Sequence, residues 1–238
     1  IEGQGAVDES LLTGESMRSK GRNELTIGYG YDARGNLQSQ KYPSGSNIIY
    51  TNNVFGQPVS IKDGTGRTYV SGVQYHPDGQ IKSFKYGNGV THTRQINARG
   101  LPAELNDTGL VIHRFKYDKS GNVTNIQDLQ QGTNFDRAMQ YDLQGRLLSA
   151  TSVSFGGDNI YRYSYDINDN MMSATLAGVK DHRYWYDSSN RLTNVRNTAG
   201  ATVMGLAYDV QGNLSNRNGV THTFDYGNRL RKIPGVER

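Results

Sequence analysis

The stretch Tyr141-Asp142-Leu143-Gln144-Gly145-Arg146-Leu147 decides the fold. Asp suits the first position of a type I turn, where its carboxylate accepts from a backbone amide two residues on. Gly at the fourth position takes the positive φ of a G1 bulge. Such a turn closes a hairpin in which the residue before Asp faces the residue two after Gly, here Tyr141 against Leu147. An aromatic–aliphatic cross-strand pair of this kind contributes roughly 0.2–1 kcal/mol. The stretch therefore predicts a stapled β-hairpin.

Working outward, the same seven-residue pattern recurs as YDARGNL at Tyr31, YDKSGNV at Tyr117 and YDVQGNL at Tyr208, with cross-strand partners Leu37, Val123 and Leu214. Degenerate copies fill the gaps: NNVFGQP at Asn52, YHPDGQI at Tyr75, INARGLP at Ile96, YDINDNM at Tyr165, YDSSNRL at Tyr186 and FDYGNRL at Phe224. The starts lie 21, 23, 21, 21, 24, 24, 21, 22 and 16 residues apart, so ten copies run from Tyr31 to Leu230. Asn190 and Asn228 replace the turn glycine, and Asn tolerates φ > 0; Asp169 does so less comfortably. Pro77 has the fixed φ of the second turn position. The residues that define the repeat are thus Tyr31, Asp32 and Gly35; Tyr75 and Gly79; Tyr117, Asp118 and Gly121; Tyr141, Asp142 and Gly145; Tyr165 and Asp166; Tyr186 and Asp187; and Tyr208, Asp209 and Gly212.

Before each tip the residues alternate as a half-buried strand requires. Ile27, Tyr29 and Tyr31 share one face, as do Tyr161, Tyr163 and Tyr165, while Arg162, Ser164 and Asp166 take the other. A second set of glycines, among them Gly45, Gly89, Gly132 and Gly178, marks the return turn of each unit, so every repeat supplies two strands. A single hairpin is marginal, and neighbours must pair to form a sheet that hides its one apolar face. The expected architecture is all-β: tandem β-hairpin repeats in a continuous curled antiparallel sheet over residues 27–231. Residues 1–26 are assigned to an N-terminal cap or linker and 232–238 to a C-terminal tail.

Composition agrees with this reading. The 238 residues include 29 Gly and 16 Tyr but only 34% hydrophobic residues, a balance of turn and strand formers. Net charge is +4, with 26 basic and 22 acidic residues scattered without long runs, a poor footprint for nucleic acid. No cysteine is present, which removes disulfides and thiolate metal sites. No stretch of ~18 apolar residues suggests a membrane span, and the first residues do not have the pattern of a signal peptide.

Ten registered Tyr-Asp-x-x-Gly-Arg/Asn-Leu hairpins, with Asn-Gly-Val-Thr-His-Thr at Asn88–Thr93 and Asn218–Thr223, resemble the YD repeats of the RHS family. The resemblance covers about residues 25–231. It implies a β-cocoon-like shell of the kind found in bacterial polymorphic toxins, insecticidal toxin complexes, wall-associated proteins and teneurins. It also implies a secreted or cell-surface location and a toxin or other polypeptide enclosed or displayed. No Asp-Pro-x-Gly motif follows Leu230, so no self-cleavage residue is carried over.

Other constellations fit this frame without needing chemistry. Val7–Ser16, VDESLLTGES, is similar to the actuator-loop motif of P-type ion pumps, and Asp118-Lys119-Ser120-Gly121 is similar to their phosphorylated loop. The second is a repeat turn in register. His92, His113 and His182 each precede a motif by four residues and would align if the repeats stack, but zinc needs three or four convergent donors. The aspartates that paired-carboxylate catalysis would need are taken up in turns. No Gly-x-Ser-x-Gly elbow and no phosphate-cradling loop occur. Trp185 with Arg183, on the face opposite Tyr184 and Tyr186, is the best candidate for surface ligand binding. The sequence thus reads as a non-enzymatic scaffold with no catalytic residue, cofactor or metal. Its expected partner is an adjoining toxin polypeptide or, alternatively, a cell-surface glycan or protein, without nucleic acid or membrane insertion.

Overall fold

The computed structural model describes residues 11–17 and 25–235. The chain divides after Arg114 into two units.

The first unit holds β1 (Gly14–Met17), β2 (Leu25–Tyr31), β3 (Leu37–Lys41), β4 (Asn47–Asn52), β5 (Pro58–Asp63), β6 (Thr68–Tyr75), β7 (Ile81–Tyr86), β8 (Thr91–Ile96), β9 (Pro102–Asp107) and the start of β10 (Val111–Tyr117). Each strand pairs antiparallel with the next in sequence. The second unit continues with β11 (Val123–Asp128), β12 (Arg137–Tyr141), β13 (Leu147–Thr151), β14 (Ile160–Tyr165), β15 (Met171–Leu176), β16 (Lys180–Tyr186), β17 (Leu192–Arg196), β18 (Thr202–Tyr208), β19 (Leu214–Arg217) and β20 (Val220–Thr221). These strands also form a consecutive antiparallel meander, and β21 (Thr223–Phe224) with β22 (Leu230–Lys232) makes a separate hairpin. The chain is nearly all-β.

The register follows from the turn. Tyr31 faces Leu37, Tyr75 faces Ile81, Tyr141 faces Leu147, Tyr165 faces Met171, Tyr186 faces Leu192 and Tyr208 faces Leu214. In every one of these hairpins the ladder slips by one residue just before the tyrosine. That slip is the bulge that the positive-φ residue creates.

The uneven repeat lengths have local causes. The two 24-residue spacings each contain a 3-10 turn, Thr133–Phe135 and Val153–Phe155, built into the return loop. The 23-residue spacing contains a second bulge in β6, where Ser71 faces Lys85 and Gln74 faces Ser83 around Gly72 at φ 62°. Extra residues are absorbed away from the tips, whose register is thereby kept.

Residues expected to cap the N-terminus include a strand: Gly14 faces Gly28 and Met17 faces Leu25, and the Tyr29 amide donates to the Thr13 carbonyl at 2.9 Å. The Thr-Gly-Glu-Ser segment is therefore mostly sheet rather than a loop. Residues 7–10 of the pump-like stretch lie outside the described residues, as do 236–238 of the tail. At the other end, Lys232 closes β22.

Packing is thin. Among the described residues the buried hydrophobic side chains are Val73 in the first unit and Ala150, Ala174, Leu176 and Val195 in the second. The aromatic rows are mostly half-buried. Tyr161 stacks on Tyr163 with ring centroids 6.1 Å apart, and Phe155 meets Tyr161 edge-on at 5.1 Å. These are favourable geometries for aromatic pairs. Small Ala150 and Ala174 are the register partners of Tyr161 and Tyr163.

Candidate functional site

The feature that repeats most faithfully is the hairpin tip. At Asp142 the amide donates to the Arg146 carbonyl, and the Gly145 amide to the Asp142 carbonyl, each at 3.0 Å. The Asp142 carboxylate in turn accepts from the amides of Gln144 and Arg146 at 3.0 and 2.8 Å. The same double acceptance occurs at Asp32, Asp166, Asp187, Asp209 and Asp225. At Asp118 the carboxylate accepts the Asn122 amide at 2.9 Å, and Gly121 closes the turn at φ 94°. Gly35, Gly79 and Gly212 take φ of 80°, 85° and 86° at their tips.

Hydrogen bonds to the ionised form hold these carboxyls below the usual carboxylate range. The side chain of the Asn four residues on is the first cause at Asp32, Asp118, Asp166 and Asp209. At Asp187 the Arg191 amide leads, and Asp225 is lowered to about 2, chiefly by the Arg229 amide. A carboxylate committed in this way is a poor general acid or base at neutral pH.

The tyrosines do more than staple their own hairpins. In five repeats the hydroxyl crosses to the preceding repeat and donates to a main-chain carbonyl there. Tyr75 reaches Pro58 at 2.6 Å, Tyr141 reaches Val123 at 2.8 Å and Tyr165 reaches Leu147 at 3.0 Å. Tyr186 and Tyr208 reach Met171 and Leu192, both at 2.9 Å. In each case the acceptor is the residue two after the turn position of Gly. Tyr31 donates to Leu12 at 2.7 Å, so Leu12 occupies that acceptor place for a repeat before the first. Burial raises the phenol pKa at Tyr75, Tyr141, Tyr165 and Tyr186.

A second link runs through the residue after the turn glycine. Arg146 bonds its own Asp142 at 2.7 Å, then extends to the next tip, donating to the Asp166 carbonyl at 3.0 Å and the Asp169 carboxylate at 2.7 Å. Its guanidinium lies 5.0 Å from the centroid of the Tyr165 ring. Asn170 bonds Asp166 and donates onward to Asn190 at 3.0 Å, and Asn213 bonds Asp209 and donates onward to Asn228 at 3.0 Å. Gln80 reaches the Gly100 carbonyl at 3.1 Å. All three residues that replace the turn glycine, Asp169, Asn190 and Asn228, are therefore acceptors of a rung from the repeat before. They hold φ of 65°, 58° and 58° to be so. The alternation of Asn and Arg after Gly was the available signal for these rungs, and sequence reasoning passed over it.

The expected histidine alignment does not form. His92 faces Asp107, bonded through Nδ1 at 2.7 Å, and stacks on Phe84 at 4.7 Å, whereas His113 faces Leu105, two residues along β9. His182 faces Ala174 on another strand pair. Among the described residues no group of three His, Cys, Asp or Glu side chains is placed to hold a metal ion. No helix among them is long and apolar enough to cross a membrane.

On the opposite face, Trp185 in β16 is 42% exposed, with the Arg196 guanidinium 5.2 Å from its ring centroid. Arg183 faces Arg196 directly across the strand pair, and its nearest carboxylate is Asp181 at 3.6 Å.

Comparison with known proteins puts this geometry in context. The sequence description of the teneurin YD-shell matches residues 93–234. No curated protein matches the chain by sequence. Among solved structures, TcdB2-TccC3 without its hypervariable C-terminal region superposes with a TM-score of 0.58 at 17% identity, over 91% of this chain and 12% of that one. TcdB2-TccC3 itself gives 0.55 at 15% identity, over 89% and 15%. The Photorhabdus luminescens Tc holotoxin pore gives 0.56 at 16% identity, over 84% and 13%. At such identities the likeness shows a shared fold, and this chain spans a small part of each of those chains.

Proposed function

This chain belongs to the teneurin YD-shell family, and on that premise we propose that it is a non-catalytic stretch of shell wall that houses another polypeptide outside the producing cell. One observation carries the reading: the polar groups of the motif are spent on the wall itself. Asp carboxylates serve turn amides, Tyr hydroxyls serve carbonyls of the previous repeat, and Arg and Asn join neighbouring tips. What remains on the face that carries the motif tyrosines is a set of half-buried aromatic rows, a surface suited to a partly unfolded chain. Two of the matched structures pair TcdB2 with TccC3, one of them without a hypervariable C-terminal region. Carried to this chain, that pairing makes a toxin polypeptide the candidate guest.

The test is to co-produce the chain with a candidate toxin polypeptide, purify the pair and add protease. The guest should co-purify and survive as a protected fragment. A guest that neither co-purifies nor gains protection would rule the reading out. A second reading, an outer surface that engages glycan or protein, is favoured by outward-facing Trp185.

A further inference from the structure

The residue after Asp in each hairpin tip holds the second position of a type I turn, which folding leaves open to most side chains. Gly, Pro, Asn, Asp and Ser are the residues that turns favour. Five successive tips of the second unit instead carry Leu143, Ile167, Ser188, Val210 and Tyr226 there. The four apolar side chains are each at least 95% exposed. Neither the turn nor the core of the wall uses them, and burying each against a partner would be favourable. Apolar groups gathered at an exposed edge mark an interaction surface.

Contacts between tips hold these residues in a row. Arg146 joins the first tip to the second through Asp169, and Asn170 joins the second to the third through Asn190. The Arg191 guanidinium lies 5.0 Å from the centroid of the Tyr208 ring, which opens the fourth tip, and Asn213 reaches Asn228 in the fifth. At roughly 10 Å from tip to tip the row is about 40 Å long. It is therefore set in place before any partner arrives.

Charge narrows the choice of partner. Arg146 is paired with Asp142 and Asp169, Arg191 with Asp187, and Arg229 and Arg231 with Asp225. The residues that follow the five projecting ones are Gln, Asn, Ser, Gln and Gly, so the crest of the row bears no charge across all five tips. An uncharged, apolar crest fits another of the same kind. Its order is also palindromic: two apolar tips, Ser188 in the middle, then two apolar tips. Isologous contact requires such self-complementarity.

We propose that this margin of the second unit pairs with the same margin of a second copy, about a two-fold axis through the Ser188 tips. Leu143 then meets Tyr226 of the other copy, Ile167 meets Val210, and the small Ser188 tips let the crests approach. The four apolar side chains, at roughly 100 Å² each, supply about half of the ~800 Å² that each partner buries in a standard interface. Their polar neighbours on the crest supply the remainder. An interface of this size predicts a reversible dimer with a dissociation constant on the order of 10 µM. The pairing goes beyond the housing of a guest and does not depend on it.

Sedimentation velocity of the full chain across the micromolar range tests this. Wild type should shift from monomer to dimer with concentration. Ile167→Glu and Val210→Lys should each weaken the dimer at least about tenfold, because each buries a charge against an apolar side chain. Circular dichroism should stay unchanged, since neither position is used by the turn. The two-fold axis makes a sharper demand: the double variant in one chain, and a mixture of the two single variants, should both recover dimer, because Glu at 167 then meets Lys at 210 of the other copy. The proposal is overturned if wild type is monomeric throughout, if Ile167→Glu dimerises like wild type, or if neither the double variant nor the mixture recovers. It is overturned equally if the chain stays monomeric but co-sediments with phosphatidylcholine vesicles in a way that Ile167→Glu abolishes, which would give the row to a lipid surface.

Discussion

Replacing Tyr165 by Phe removes one oxygen from the wall and little else. The phenol is half-buried and donates to the Leu147 carbonyl of the preceding repeat at 3.0 Å. The ring would keep its position opposite Met171 and beneath Arg146. The change therefore isolates the inter-repeat hydrogen bond, whose net contribution is about 0.5–1.5 kcal/mol. Tyr141 and Tyr186 make the equivalent bond at 2.8 and 2.9 Å. Successive tips lie two strands, roughly 10 Å, apart, so the three substitutions should add within about 0.5 kcal/mol. The triple variant should lose about 1.5–4.5 kcal/mol. With a urea m-value of about 2 kcal/mol/M, the single change moves the midpoint by roughly 0.5 M and the triple by roughly 1.5 M. Equilibrium urea unfolding followed by far-UV circular dichroism measures both. A triple variant whose midpoint stays within about 0.2 M of wild type at unchanged m-value would show that the hydroxyls do not tether the repeats.

Three further outcomes follow from the tips. Gly145→Ala, at φ 78°, should destabilise by about 1–2 kcal/mol, while Gly145→Asn should be milder because Asn122 sits beside that position as Asn170 sits beside Asn190; urea midpoints of the two variants check the order. The tip carboxyls have folded pKa values below their unfolded ones, so their contribution is complete above about pH 4 and is lost as pH falls through the folded values, about 2 for Asp225. Acid titration by NMR should find the Asp225 carboxyl ionised at pH 3, and a titration near the ordinary aspartate value would refute the turn geometry. Buried phenols behave in the opposite sense: Tyr141, Tyr165 and Tyr186 are raised, so their stabilisation is complete below about pH 10 and is lost as pH climbs through the higher folded values. Ultraviolet titration should show these phenols ionising late and together with loss of sheet.

The hairpin was legible because Asp, Gly and their spacing specify one turn, and one turn specifies one register; Tyr141 against Leu147 follows with no tertiary information. What lay beyond reach were contacts between repeats. That the Tyr165 hydroxyl goes to Leu147 depends on how far one hairpin is offset from the next, which no pattern within a single repeat encodes. Asp169 read as an uncomfortable substitute for Gly, and the discomfort was real, but its compensation lay in Arg146, 23 residues earlier. The Thr-Gly-Glu-Ser stretch drew attention as a motif because its strand pairing with residues 25–28 could not be seen without coordinates. Trp185 was placed on the face opposite Tyr184 and Tyr186 by simple alternation, whereas Arg196 required the pairing of β16 with β17.

The rungs between tips also bear on how such an array changes over generations. Each donor belongs to one repeat and its acceptor to the next, so the residue at a turn is selected partly by its predecessor. Deleting residues 165–185 would bring Arg146 to Asn190, keeping an acceptor but discarding the charge of Asp169. Repeats of this kind are not interchangeable copies. They are inherited as neighbours, and recombination that respects length alone would leave a seam that is chemically mismatched.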